Sequence, residues 1–310
     1  MKILFVFTGG TIGSENVAGI ADVSLNVSKN IPTIINMDCE WEFAFPFNIL
    51  SENATCDTLS ELVTYMLSID YDKYDGIVLT HGSDTLAYTS ALLCNALSWV
   101  KVPIVITAAN YVMSDPRSNA RENLNSAMAF IKQSKHSGVY VVWKNEGEPA
   151  YVHFGERLIE ADECDRFRSY GGAPFGIVEN GEYRDIAPCE IRFGDKNKHL
   201  KNKKIKLNNK ILLLHSYVGL DFSAVDTTGI SAVLLKMYHS ATACTQGDAT
   251  SINALIENCR KTGTDLYLIP KRDSGYIYSS ETSFDHTFVK YLPDMSEYAA
   301  YTMLLLLYRA

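Results

Sequence analysis

Lys2 to Ser14 reads KILFVFTGGTIGS, and its reading decides the fold. Ile3 to Phe7 is an unbroken apolar run, too short to be read as a helix. With Val6 and two aromatics in it, the run reads as a fully buried strand of a parallel sheet. It stops at Thr8-Gly9-Gly10-Thr11, where the strand meets a turn at its carboxyl end. Open α/β sheets place their ligands at that edge. Two adjacent glycines let the backbone take conformations closed to other residues and let a ligand approach the main chain. Thr8 and Thr11 are therefore hydroxyls on a glycine hinge, and Thr11 is a candidate nucleophile. The competing reading is a phosphate-binding loop. Against it, Gly9-Gly10 with Gly13 is not G-x-G-x-x-G, and no Walker lysine follows.

Outward from this stretch, Ser14 to Asn30 is small and polar without a period, and so long a loop beside the nucleophile is expected to be a lid. Glu42 to Ile49 (EFAFPFNI) reads as an edge strand, Pro46 barring a central place. Thr58 to Ile69 shows helical spacing, with Leu59, Leu62, Val63, Met66 and Leu67 on one face. Asp75 to Thr80 is a second buried strand closed by a threonine; His81-Gly82-Ser83-Asp84-Thr85 and a helix from Leu86 to Trp99 follow. Val102 to Thr107 is a third such strand and Arg121 to Gln133 a third helix. The alternation predicts a doubly wound, mostly parallel α/β sheet with right-handed crossovers. Gly138 to Trp143 and Ala150 to Phe154, flanking Asn145-Glu146-Gly147-Glu148, predict a hairpin.

Lys196 to Lys210 is rich in lysine and asparagine and reads as a solvated interdomain linker. Its other reading, a basic patch for nucleic acid, lacks aromatics and sits in an acidic chain. Strands at Ile211–Leu214, Ala232–Leu235 and Asp265–Ile269 alternate with helices at Ser251–Thr262 and Ser296–Arg309. The expected organisation is a larger N-terminal domain over 1–195, a linker over 196–210, and a smaller flavodoxin-like α/β domain over 211–310.

The 310 residues allow two domains of ordinary size, and 47% hydrophobic with 21% charged residues is a globular composition. A formal net charge of -8 argues against a phosphate-backbone partner. The 7 cysteines are scattered without a C-x-x-C pair, which argues against zinc and for reduced thiols in a cytoplasm. Met1 opens directly on a strand, so no secretory leader is expected, and the apolar stretches fall short of a membrane span.

Two loops follow the carboxyl ends of buried strands, Thr8 to Thr11 and His81 to Thr85. Aligned strands bring such loops together. Jointly they offer hydroxyls from Thr11, Ser83 and Thr85 and the carboxylate of Asp84, the types that activated-hydroxyl chemistry needs. Taken singly, Thr80, Ser83 and Asp84 also read as caps for the helix at Leu86.

FTGGTIGS, DGIVLTHGSDTLAYTSALL and VPIVITAANYVMSDPRSNARENLNSA resemble the signature segments of the bacterial-type L-asparaginases, the asparaginase/glutaminase amidohydrolases. The resemblance runs in order from residue 2 to FRSYGGAPFGIVENG and weakens toward the C-terminus. It implies that Thr11 is the nucleophile attacking a side-chain amide carbonyl. Ser83 and Asp84 stand where the family has a second threonine followed by aspartate. Ser51 and Glu52 stand where the family holds the substrate's α-carboxylate and α-ammonium, and Gly10, Gly82 and Ala108 would line the substrate. Hydrolysis would proceed through an acyl-enzyme with loss of ammonia, without metal or organic cofactor. The family's site lies between the first domain of one subunit and the second domain of its partner, so a homodimer or homotetramer is implied.

The departures are specific. Ser83 replaces threonine, and Ser14 to Asn30 has no lid tyrosine. The triad lysine should fall within HFGERLIEADECDRF; anchoring on Gly155 puts Glu160 there, and anchoring on Phe167 puts Leu158 there. A carboxylate would raise the pKa of a neighbouring Asp84 where an ammonium would lower it. Arg157 or Lys144 entering from another position is the alternative repair. In the second domain the substrate-contacting asparagine aligns with Thr242, and Glu281 matches the family glutamate. His239 reads as a capping or core histidine as readily as a functional one.

These readings predict an amidohydrolase of asparagine or a related small amide. The alternative is a ligand-binding or regulatory protein with the same fold and no turnover. A flavodoxin-like nucleotide binder is disfavoured by the missing phosphate loop. The tRNA-dependent amidotransferase component of the superfamily is disfavoured because it carries an extra N-terminal domain.

Overall fold

The computed structural model describes residues 1–17, 20–23, 31–35, 37–187, 195–271 and 278–309. The chain divides into two compact units, Met1–Lys206 and Leu207–Ala310.

The first unit is built on one eight-stranded sheet. Its parallel part comprises β1 (Lys2–Phe7), β4 (Glu40–Ala44), β5 (Gly76–Thr80), β6 (Pro103–Thr107) and β7 (Gly138–Lys144). Every residue of β5 and β6 is buried, and β1 is buried from Ile3 on, as continuous apolar runs between helical layers require. Pro103 opens β6, where its missing N–H costs least. Between the strands lie α2 (Cys56–Ser68), α3 (Leu86–Ala96) and α4 (Ala120–Gln133). A short α1 (Ile31–Ile34) precedes β4. Thr55 and Thr58 form a reciprocal capping box that starts α2. Gly76 lets α4 approach the sheet closely, since a Cβ there would lie 2.6 Å from Ile131 Cγ2.

The strand order is β4-β1-β5-β6-β7, so β1 is the switch point: the chain first pairs β4 on one side of it and then β5 on the other. The crevice beyond the carboxyl ends of strands at such a point is where open sheets bind ligands. At the far end, β8 (Ala150–Phe154), β11 (Gly176–Glu179) and β12 (Glu182–Asp185) extend the sheet antiparallel. The β7–β8 pair is the hairpin predicted from sequence. A two-stranded ribbon, β9 (Leu158–Ile159) with β10 (Arg168–Ser169), stands apart.

Three stretches differ from the sequence reading. The edge strand ends at Ala44 rather than Ile49; the chain then breaks at Pro46 and returns to meet Gly9 in an isolated parallel bridge at Ile49. The presumed loop after Ser14 contains a strand pair, β2 (Ser14–Val17) with β3 (Ile20–Val23), in antiparallel register from Ser14↔Val23 to Val17↔Ile20. Residues 24–30 of that loop lie outside the described residues. The lysine-rich stretch is strapped to the first unit as far as Lys206. Leu200 and Ile205 are buried, Asn202 N donates to Leu67 O (3.1 Å), and Ile205 N donates to Thr64 Oγ1 (3.0 Å). Its apolar residues anchor it while the lysines between them stay in water.

The second unit carries four parallel strands in chain order, β13 (Ile211–His215), β14 (Ala232–Lys236), β15 (Asp265–Ile269) and β16 (Lys290–Tyr291). α5 (Ile252–Thr262) is capped by Ser251 and stopped by Gly263 in the left-handed conformation. α6 (Glu297–Leu307) begins at the Ser296 cap. Phe222, Val233, Leu235, Leu255 and Leu266 centre its core. No helix among the described residues is long and apolar enough to cross a membrane.

Candidate active site

Three chain segments meet beyond the carboxyl ends of β4, β1 and β5. Thr8 joins β1 to β5 by donating from both N (3.3 Å) and Oγ1 (2.9 Å) to Thr80 O. Ile49 N donates to Thr8 O (3.1 Å), and Gly10 N donates to Ile49 O (3.0 Å). Gly9 and Gly10 have φ of 103° and 74°. A Cβ on Gly9 would sit 2.1 Å from Ile49 O, one on Gly10 2.4 Å from Gly82 N, and one on Gly82 2.3 Å from Ser51 Oγ. The glycines thus let the segments close on each other through bare backbone.

Thr11 begins a 3-10 turn, Thr11–Gly13, steadied by Ser14 Oγ donating to Gly10 O (2.8 Å). Its side chain is half-buried and makes no hydrogen bond to a described residue. Of the two threonines on the hinge, Thr8 is tied to Thr80, and the Thr11 hydroxyl has no partner among the described residues. Ser51, buried, donates from Oγ to Asp84 Oδ2 (2.8 Å), and Thr85 Oγ1 donates to Ser51 O (3.1 Å). Ser83 is half-buried, and Asp84 and Glu52 are exposed. No side-chain bond caps α3: Asp84 is turned to Ser51 instead.

Two buried residues that the sequence reading left without a role frame the loops. His81 Nδ1 lies 2.8 Å from Gly82 O and Nε2 lies 3.0 Å from Thr89 Oγ1, while His81 N donates to Thr107 O (2.9 Å). Burial pushes its pKa down, so the ring is neutral. Asn123, fully buried on α4, donates from Nδ2 to Ala108 O (2.9 Å) and accepts from Lys144 N (2.8 Å). Neither carried a sequence signal of its own, since both lie in polar stretches, LTHGSDT and NARENLNSA, and only the fold buries them.

A family model described as asparaginase, N-terminal, matches residues 2–187. The chain belongs to the asparaginase family. A component of the glutamyl-tRNA(Gln) amidotransferase of Saccharolobus solfataricus is 28% identical over 228 residues, 71% of this chain and 51% of that protein. An L-asparaginase from Thermococcus kodakarensis is 30% identical over 148 residues, 47% of this chain and 45% of that protein. The chain spans about half the length of the curated relatives it matches. Among solved structures, the thermostable L-asparaginase from Thermococcus kodakarensis superposes with a TM-score of 0.77 at 22% identity, over 99% of this chain and 92% of that one. L-asparaginase I from Vibrio cholerae does so with 0.76 at 20% identity, over 99% and 92%. These likenesses show the asparaginase α/β fold.

The segment 153–167, in which the sequence resemblance leads one to expect a lysine, is a built turn. Leu158 is fully buried, so its apolar side chain belongs to the core. Glu160, just beyond β9, is exposed. Arg157 donates from Nε to Tyr170 O (3.0 Å) and stacks on that ring. Lys144 Nζ lies 3.8 Å from Glu122 Oε1. Both cations considered as repairs therefore have other partners. Among the described residues no lysine, arginine or histidine nitrogen pairs with the Asp84 carboxylate. Between β9 and β10, Asp162 Oδ1 accepts from Cys164 N and Arg166 N, and Trp143 Nε1 donates to Asp165 O (3.2 Å). Glu156, beside Arg157, has its carboxyl pushed up by burial, a perturbed acid that the sequence reading passed over for Glu160.

In the second unit Thr242 ends a tight turn after β14: Tyr238 N donates to Thr242 O (3.0 Å), and Thr242 Oγ1 pairs with Ser240 Oγ (3.0 Å). His239 is exposed on this turn. Glu281 lies in a 3-10 turn, Ser279–Ser283, and its side chain is outside the described residues.

Proposed function

We propose that the chain is an amidohydrolase that cleaves the side-chain amide of L-asparagine or a related small amide through an acyl-enzyme on Thr11. The observation that carries this reading is the Thr11 hydroxyl, without a partner among the described residues, on a turn whose Gly10 is clamped against Gly82, in the loop that also holds Asp84 of the Ser51–Asp84 pair. Attack by Thr11 Oγ1 on the amide carbonyl transfers the hydroxyl proton and gives a tetrahedral oxyanion. Collapse expels ammonia, and water then cleaves the ester, restoring Thr11 and releasing the acid. Asp84 is the proton acceptor at this edge, acting through a water, and Ser51 fixes its orientation. Ser83 lies beside it at the family's second hydroxyl position. Ser51 and Glu52 hold the substrate's charged groups, with Gly10, Gly82 and Ala108 along its length. Relatives named as an asparaginase and as part of an amidotransferase support chemistry at an amide.

One observation favours a second reading, a ligand-binding protein without turnover: no cation pairs with Asp84 among the described residues. Base assistance is worth roughly 10²–10⁴-fold, so this difference separates the two readings. Ammonia release from a panel of asparagine, glutamine and other small amides tests them. Release from any member supports hydrolysis, and saturable binding without release supports the second reading.

We also infer self-association as a homodimer or homotetramer, with Thr242 and Glu281 of the second unit serving a partner's site. A reducing, cytoplasmic compartment is inferred from the six free cysteines among the described residues.

A further inference from the structure

We propose that His81 is a positioning residue: its Nδ1–H holds the Gly82 carbonyl in the core and thereby turns the Ser83 N–H outward as a donor to the oxyanion formed on attack by Thr11. The proposal rests on the amidohydrolase reading of this site.

A carbonyl oxygen only accepts, so Nδ1, 2.8 Å from Gly82 O, carries the proton. Nε2 is then the bare nitrogen and accepts from the Thr89 hydroxyl at 3.0 Å. One tautomer satisfies both contacts, and the other leaves Gly82 O without a donor. Thr89 and His81 are both buried, so no water competes for the ring. The His81 backbone is fixed as well, because its N–H donates to Thr107 O at the end of β6 (2.9 Å).

A trans peptide sets C=O and N–H on opposite sides. The Gly82 carbonyl is directed at a buried imidazole, so the Ser83 N–H points the other way, toward the side where Ser83 and Asp84 meet solvent. That N–H has no acceptor among the described residues, and neither has the Thr11 N–H. Gly10, the residue before Thr11, packs against the backbone of His81 and Gly82. Two backbone donors without an acceptor among the described residues thus lie on the two loops that Gly10 and Gly82 bring together, and donors converging on one carbonyl stabilise a tetrahedral oxyanion. A rotation of the 82–83 peptide would withdraw one of them, and His81 blocks that rotation.

Asparagine and glutamine substitutions separate this role from packing. The amide nitrogen of Asn can occupy the Nδ1 position and keep the bond to Gly82 O. That of Gln falls at the Nε2 position and leaves Gly82 O without a donor. With the best amide of the panel, His81→Gln is expected to lower kcat by about 10²-fold with KM unchanged. His81→Asn should stay within about tenfold of wild type. Equal kcat values for the two variants, or a change confined to KM, would overturn the proposal. Imidazole ¹⁵N shifts of the wild-type protein give a readout independent of turnover. Protonated Nδ1 with bare Nε2 is expected, and the opposite tautomer overturns the proposal. Absence of ammonia release by the wild type would instead sink the amidohydrolase reading. The Ser83 amide shift then decides the positioning role, since it should move in His81→Gln and hold in His81→Asn.

Discussion

Ser51 Oγ donates to Asp84 Oδ2 at 2.8 Å across 33 residues of sequence, joining the turn after β4 to the loop after β5. The pair aims a carboxylate that would otherwise rotate freely in solvent. Ser51→Ala should leave the fold intact, because Ser51 O still receives the Thr85 hydroxyl. Ammonia release should fall by about tenfold or more, with KM raised as well, since Ser51 is also placed on the substrate's carboxylate. A variant with wild-type kcat and KM would remove Ser51 from the site.

Gly10→Ala should be far more damaging than its single methyl suggests. The new Cβ would sit 2.4 Å from Gly82 N at a φ of 74°, so both sterics and backbone conformation oppose it. Left-handed strain for a non-glycine residue costs of order 1–3 kcal/mol, and the clash adds to it. Gly147→Ala is the control: its φ is 72° but nothing lies within 4 Å of the added carbon. Thermal melts should show Gly10→Ala losing clearly more stability than Gly147→Ala, and similar losses would mean that the loops are not closed on each other.

Glu160→Lys restores an ammonium to the family position anchored on Gly155. Asparagine hydrolysis is expected to rise, within the roughly 10²–10⁴-fold range of base assistance. A fall would assign Glu160 work of its own on another amide. No change would place Glu160 outside the site.

Much of this was legible in sequence, for physical reasons that differ by element. β1, β5 and β6 are buried on both faces, so each shows as an apolar run ending in a threonine at the ligand edge. The β7–β8 hairpin shows through its polar turn. β2 and β3 do not, because four-residue strands in a polar stretch are too short to display a period. The strapping of 197–206 is hidden for another reason: a few apolar residues among lysines carry little local signal, and the Leu67 and Thr64 partners are distant. At the site, Thr11, Ser83 and Asp84 were legible as hydroxyls and a carboxylate on strand-end loops. His81 was not, since its worth lies in a fixed tautomer and a buried carbonyl, which no residue spacing encodes.

Assembly is tested in solution. A dimer or tetramer is expected at micromolar concentration, with an obligate-sized interface on the order of 2,000 Å² or more. A monomer by light scattering would leave Thr242 and Glu281 without a partner's site to complete.

The central claim is that Thr11 is the nucleophile. Ammonia release by Thr11→Ala, measured beside wild type on whichever amide proves active, tests it most directly. Loss of at least about 10³-fold, with the melting temperature held and Thr8→Ala less affected, is the predicted result. A Thr11→Ala protein that releases ammonia at most of the wild-type rate would contradict it.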